Sequence, residues 1–153
     1  MERTFFITSV TAQRRTLFQY ATTADLLLDV FLHYREQHKY QLHDLVVMPD
    51  HFHALITPAT DISLERAVQF IKGAFSFRLK AIYPVWQASF TNHRIRDGED
   101  FEQHRDYIRM NPVRAGLVRK PEEYPYSSAT GRFALDAMPP GLKPNLDYRQ
   151  TPA

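Results

Sequence analysis

The chain contains no cysteine. Disulfides and thiolate metal sites are therefore excluded, and a reducing compartment is compatible with it. The remaining metal-ligand candidates are His, Asp, Glu and amide oxygens. No apolar run approaches the roughly 18–20 residues needed to cross a bilayer. The opening Met1-Glu2-Arg3-Thr4-Phe5-Phe6-Ile7-Thr8 lacks the apolar stretch and cleavage site of a signal peptide, so a cytoplasmic protein without a membrane partner is expected. Net charge is only +2, and the overall balance points to no particular partner. From Phe101 onward Lys and Arg outnumber Asp and Glu by eight to six, against five to six in the first fifty residues. This is a slight basic tilt, which ordinary solvated surface also explains. No internal repeat is visible.

What is present suits one domain: 153 residues, 44% hydrophobic and 13% aromatic. Arg3 to Thr11 reads as a first strand, rich in aromatic and β-branched residues. Thr22 or Thr23 can cap a helix reaching about Lys39, with Leu27, Val30, Phe31 and Tyr34 facing the core. Gln41 to Met48 and Asp50 to Thr57 read as strands joined at Pro49-Asp50, or as one strand interrupted there. Asp61 or Ser63 opens a second helix, ended by Pro84, with Leu64, Val68, Ile71, Phe75, Leu79 and Ile82 as its apolar stripe. Val85 to Arg96 reads as a fourth strand. Asp97-Gly98-Glu99-Asp100 opens an acid-started third helix, stopped near Asn111 by Pro112. A further short turn spans Val113 to Val118, closed at Gly116. Seven of the ten prolines lie from Pro112 onward. The order predicts an α+β fold: an antiparallel sheet with helices packed on one face, close to the ferredoxin-like pattern. Residues 1–130 form the expected domain, and 131–153 a proline-containing tail laid over it or partly disordered.

The most informative residues are His51-Phe52-His53. Side chains alternate along a strand, so both imidazoles share a face, about 6.5–7 Å apart, and Phe52 points into a core. Two imidazoles on one face can share a divalent metal. On the third helix, Tyr107 and Asn111 are four apart and share a face, with roughly 5–6 Å between Cβ atoms. Phe101 and Ile108 lie to one side and can anchor that helix to the sheet. His104 and Gln103, one turn before Tyr107, read as solvent-facing, with contact to the site or to a DNA base as the alternative. Trp86 and Phe90 fall on one face and read as core, while with Tyr83 they also suit stacking on unpaired bases.

His51-Phe52-His53 is a His-hydrophobic-His pair of the HUH type. The run Tyr107-Ile108-Arg109-Met110-Asn111-Pro112-Val113-Arg114-Ala115-Gly116-Leu117-Val118 resembles the nucleophile helix of the REP-associated tyrosine transposases, which are single-tyrosine HUH transposases related to those of insertion sequences. Further matches are Val47-Met48-Pro49-Asp50, Ile71-Lys72-Gly73-Ala74-Phe75-Ser76, Trp86-Gln87 with Phe90, and Tyr124-Pro125-Tyr126-Ser127-Ser128. The similarity spans roughly Phe5 to Ala129, with several independent motifs in order. It implies an HUH nuclease fold and a single-stranded DNA endonuclease and strand transferase. Tyr107 would attack a phosphodiester, leaving a 5′-phosphotyrosine link and a free 3′-hydroxyl. Mg²⁺ or Mn²⁺ would be held by His51, His53 and Asn111. The implied partner is single-stranded DNA with a palindromic hairpin, met at the bacterial nucleoid. The family resembles monomers whose tyrosine acts in cis, while related insertion-sequence transposases exchange tyrosines within a dimer.

Candidate nucleic-acid contacts are Arg14 and Arg15 in the loop after the first strand, Lys72 and Lys80 on the polar side of the second helix, His93, Arg94 and Arg96 after the fourth strand, and Arg114. Lys143 and Arg149 in the tail could track DNA or cover the site. Two other readings stay open. One is a hairpin-binding protein of the same fold without catalysis. The other is a metal hydrolase that uses water on a small molecule.

Overall fold

A computed structural model describes residues 2–142. Lys143 and Arg149 lie outside the described residues. Four strands, β1 (Phe5–Val10), β2 (Tyr40–Met48), β3 (His51–Pro58) and β4 (Thr91–Arg94), form one sheet in the order β2-β3-β1-β4. All its pairings are antiparallel. Three helices accompany it: α1 (Ala21–Glu36), α2 (Leu64–Leu79) and α3 (Gly98–Arg114). The hairpin β2–β3 turns at Pro49-Asp50, and β3 is inserted between β1 and β2. This is the expected split βαβ arrangement.

The helices lie on both faces, not on one. Phe5, Ile7, Leu45, Val47, Phe52, Ala54 and Ile56 meet Leu27, Phe31, Val68, Ile71 and Phe75 of α1 and α2. The alternate residues Val46, Met48 and Leu55 meet Phe101 and Ile108 of α3. Hence β2 and β3 are buried almost without interruption, as strands covered on both faces are. One irregularity matters: the β2–β3 register shifts between Leu42 and Asp44. This bulge turns both His43 and Asp44 toward α3, where His43 lies 5.5 Å from the Phe101 ring.

Several boundaries differ from the sequence reading. Helix α1 begins at Ala21, ahead of both threonines, and Thr23 Oγ1 donates back to the Tyr20 carbonyl instead. Ser63 caps α2, accepting from Arg66 N. That helix stops at Leu79, where Lys80 turns left-handed, so Ile82 leaves the stripe and is 99% exposed. Strand β4 is four residues, not twelve. Residues 85–87 do run beside the end of β1, through Ala12 N to Val85 O and Gln87 N to Val10 O. Residues 88–90 then loop out, and Lys72 Nζ donates to the Gln87 and Ser89 carbonyls. Helix α3 continues through Pro112 to Arg114. The missing proline N–H falls in the last turn, Pro112 itself is buried, and the ladder resumes from Ala115 N to Asn111 O. Gly116, at φ 76, then closes it.

Residues 124–136 run along the outer edge of β2. Val47 N donates to Tyr126 O, Tyr124 Oη to Val47 O, and Ser128 Oγ to Leu45 O. Leu42 N donates to the Asp136 carboxylate, which Arg35 also grips. An open strand edge is thereby covered. No helix among the described residues is long and apolar enough to cross a membrane.

Candidate active site

The β1–β3 register places Thr8 opposite His53 and Val10 opposite His51. Because Phe52 is fully buried between Phe31 and Trp86, both histidines are forced onto the α3 face. Their ring centroids lie 4.8 Å apart. His53 Nδ1 is 2.6 Å from Thr8 Oγ1. His51 Nδ1 is 2.7 Å from Asp50 Oδ1, and an ionised carboxylate only accepts, so that nitrogen carries the proton. A neutral His51 protonated at Nδ1 keeps its lone pair on Nε2. At His53 the Thr8 hydroxyl can either donate to Nδ1 or accept from it, and the tautomer that donates to Thr8 leaves Nε2 free for a metal. Burial drives the His53 pKa down to about 3, helped by the positive charges of His51 and Arg114. His53 is therefore a neutral imidazole across the working pH range, as a metal ligand must be. A pair of imidazoles on one face, the His51 ring backed by the Asp50 carboxylate, fits a divalent cation.

Tyr107 of α3 comes to the same place in the same chain. Its ring centroid lies 5.4 Å from that of His53, edge to face, and among the described residues it is 44% exposed. The Arg114 guanidinium stands 4.5 Å from the Tyr107 ring centroid and donates to the Tyr107 carbonyl at 2.8 Å. Asn111 is half-buried one turn on. Among the described residues no hydrogen bond joins its side chain to another group.

The other candidate residues scatter. Arg14 pairs with Asp50 at 3.2 Å and so sits behind His51. Arg15 lies 4.7 Å over the Tyr83 ring. Lys72 is tied to the loop at 87–89, and burial lowers its pKa. Lys80 and Arg94 are exposed at the end of α2 and on β4. His93 and Arg96 both turn to the Asp100 carboxylate. Trp86 packs against Phe18, Phe52 and Phe75 and donates to Lys72 O, which makes it core.

Three groups, Thr8, Asp50 and Phe6, escape the sequence reading, and His104 departs from its solvent-facing one. Thr8 and Asp50 orient the histidines. Phe6 lies beside His53 at 5.2 Å, His104 at 4.9 Å and Tyr107 at 5.9 Å. His104 is half-buried against Phe6 and stacked on His93, not solvent-facing. Alternation carried the signal for Phe6 and Thr8, since both lie opposite Phe5 and Ile7 on β1.

Residues 4–111, well over half of the chain, match the family model described as IS200-like transposase. A REP-associated tyrosine transposase of Escherichia coli strain K12 is 29% identical over 138 residues, 86% of this chain and 82% of that protein. A Haemophilus influenzae protein carrying that name provisionally is 31% identical over 128 residues, 74% of this chain and 73% of its own. The chain belongs to the REP-associated tyrosine transposase family. The solved structure of such a transposase bound to a REP hairpin superposes with a TM-score of 0.73 and 25% identity, covering 94% of this chain and 92% of that one. In this transposase-family chain, then, the HUH pair and the tyrosine helix occupy one surface.

Proposed function

We propose that this transposase-family protein is a metal-dependent endonuclease and strand transferase for single-stranded DNA carrying palindromic, REP-type hairpins. The observation that carries the reading is the convergence of His51, His53 and exposed Tyr107 within one chain. A hairpin-bound relative of the same fold supports the substrate class. His51, His53 and Asn111 would hold Mg²⁺ or Mn²⁺; two imidazoles make the set softer than an all-oxygen site and favour Mn²⁺. When bound, the cation withdraws charge from the scissile phosphate.

Tyr107 Oη attacks phosphorus. The bond to the 3′ oxygen breaks, leaving a 5′-phosphotyrosine and a free 3′-hydroxyl. One phosphodiester replaces another, so the step runs back as rejoining without an energy source. Arg114 orients the Tyr107 ring and adds positive charge beside the phosphate. Asp50 and Thr8 hold the imidazoles in register. Tyr107 reaches the histidines of its own chain, which supports action in cis by a monomer. Arg14, paired with Asp50, offers a phosphate contact beside His51. The half-buried Arg15 and the exposed Lys80 and Arg94 are cations elsewhere on the surface that a long DNA substrate would have to reach. Lys72, His93 and Arg96 are partly engaged with protein groups. Such an enzyme works beside the chromosome, in the cytoplasm.

The test is a covalent adduct. Palindromic single-stranded DNA with Mn²⁺ is expected to give a protein–DNA band that Tyr107→Phe abolishes. An adduct persisting in Tyr107→Phe overturns Tyr107 as nucleophile. Hairpin binding without cleavage in any divalent metal points to the non-catalytic reading.

A further inference from the structure

We propose that His93, Asp100 and His104 form a second metal site, separate from the HUH pair, which takes one divalent first-row transition cation. His93 comes from β4; Asp100 and His104 are four apart on α3, the spacing that puts two ligands on one helix face. His93 Nε2 lies 2.8 Å from Asp100 Oδ2 and His104 Nδ1 lies 3.2 Å from Asp100 Oδ1. All three ligand atoms fall within 4.8 Å of one another. Around zinc, with bonds of about 2.0–2.1 Å, neighbouring ligand atoms sit about 3.4 Å apart. Small rotations of two imidazoles reach that geometry.

The carboxylate is built for the role. Its side chain is 2% exposed. Both bonds from Arg96, through its backbone N at 2.9 Å and Nε at 3.3 Å, fall on Oδ2. They fix the carboxylate and leave Oδ1 toward His104. His104 Nδ1 also lies 2.8 Å from the Asp100 carbonyl. The Arg96 guanidinium opposes a cation; its side chain is 74% exposed, so on loading the 3.3 Å Nε bond exchanges for water while the Arg96 backbone N keeps its bond to Oδ2. The two rings already stack at 4.6 Å and 16°, so little order remains to be imposed. Two imidazoles and one carboxylate suit zinc, cobalt, iron or manganese better than magnesium. Loading moves each ring proton from the ligating nitrogen to the other nitrogen or to solvent. Phe6 separates this set from His53. A cation here ties the edge strand to the first turns of α3, three residues before Tyr107.

The test uses the full chain with His51→Ala and His53→Ala, which removes the HUH pair. Zn²⁺ titrated by calorimetry is expected to show one equivalent and to raise the melting temperature. Adding His93→Gln, whose parent side chain is 41% exposed and so is removable without unfolding, is expected to weaken binding tenfold or more. Co²⁺ is expected to give visible absorption in the parent that His104→Gln alters. The proposal is overturned if the parent takes up no saturable equivalent of Zn²⁺, or if that equivalent is indifferent to both His93→Gln and His104→Gln. Because the HUH pair is absent throughout, the outcome is independent of the DNA chemistry proposed above.

Discussion

A single hydroxyl, Thr8 Oγ1, sets the orientation of His53 from the neighbouring strand. Groups that back a metal-ligating histidine typically matter 10–100-fold in metal affinity. Thr8→Val is therefore expected to raise the Mn²⁺ concentration that half-saturates adduct formation by about tenfold or more, with little change in melting temperature. A manganese titration of adduct yield checks this; an unchanged midpoint would remove Thr8 from the site. Phe52 acts at the same scale from the opposite face. It is fully buried, and its packing decides which way its two neighbours point. Phe52→Ala is expected to cost about 3–5 kcal/mol in urea unfolding.

Helix α3 carries Tyr107, and its seat on the sheet is partly electrostatic. Asp44, brought to that face by the β2 bulge, is fully buried, 3.3 Å from Arg109 Nε and 3.9 Å from Arg105 Nε. Burial pushes its pKa up to about 6, with the two arginines and the Leu45 N–H holding it from rising further. The folded pKa lies above the unfolded value of 3.8. The protonated form thus stabilises the fold fully below pH 4, and that contribution is lost as pH rises through 6. Two units correspond to roughly 3 kcal/mol. The stability of the native chain relative to Asp44→Asn is expected to fall by about that amount between pH 4 and 7, measured as paired urea titrations. A flat difference would mean that the arginines fully offset the burial. The loop at 88–90 offers a second case. Lys72→Met removes the donor to the Gln87 and Ser89 carbonyls. Both residues are exposed, water takes its place, and the change is expected to cost about 0.5–1.5 kcal/mol, read by the same unfolding assay.

Among the described residues taken as a whole, the sheet is covered on both faces and along its β2 edge, and beside the buried His53 the ring of Tyr107 stays partly exposed. The edge cover is held by Asp136, which accepts from Leu42 N and two Arg35 nitrogens. Asp136→Ala is expected to lower the melting temperature by a few degrees, consistent with roughly 1–3 kcal/mol for lost charged hydrogen bonds. Adduct formation should be unaffected, since Asp136 contacts none of His51, His53 or Tyr107. A loss of adduct in a well-folded variant would tie the edge cover to the chemistry.

Local pattern alone determined much of this. Alternation through His51-Phe52-His53 required both imidazoles on one face, and four-residue spacing required Tyr107 and Asn111 on another. The same patterning made the strand–helix order, and hence the α+β class, readable. Pattern failed where satisfaction is non-local. A fourth strand of twelve residues reads well until Lys72, from another element, stabilises a loop in its middle. Pro112 reads as a stop until burial and a resumed ladder carry α3 past it. His104 reads as exposed because helical spacing says nothing about Phe6 and His93 across from it. Only the tertiary structure decided that α3 lies on the face opposite α1 and α2, because handedness and the second apolar face become visible only once strands pair. That choice brings Tyr107 over His53.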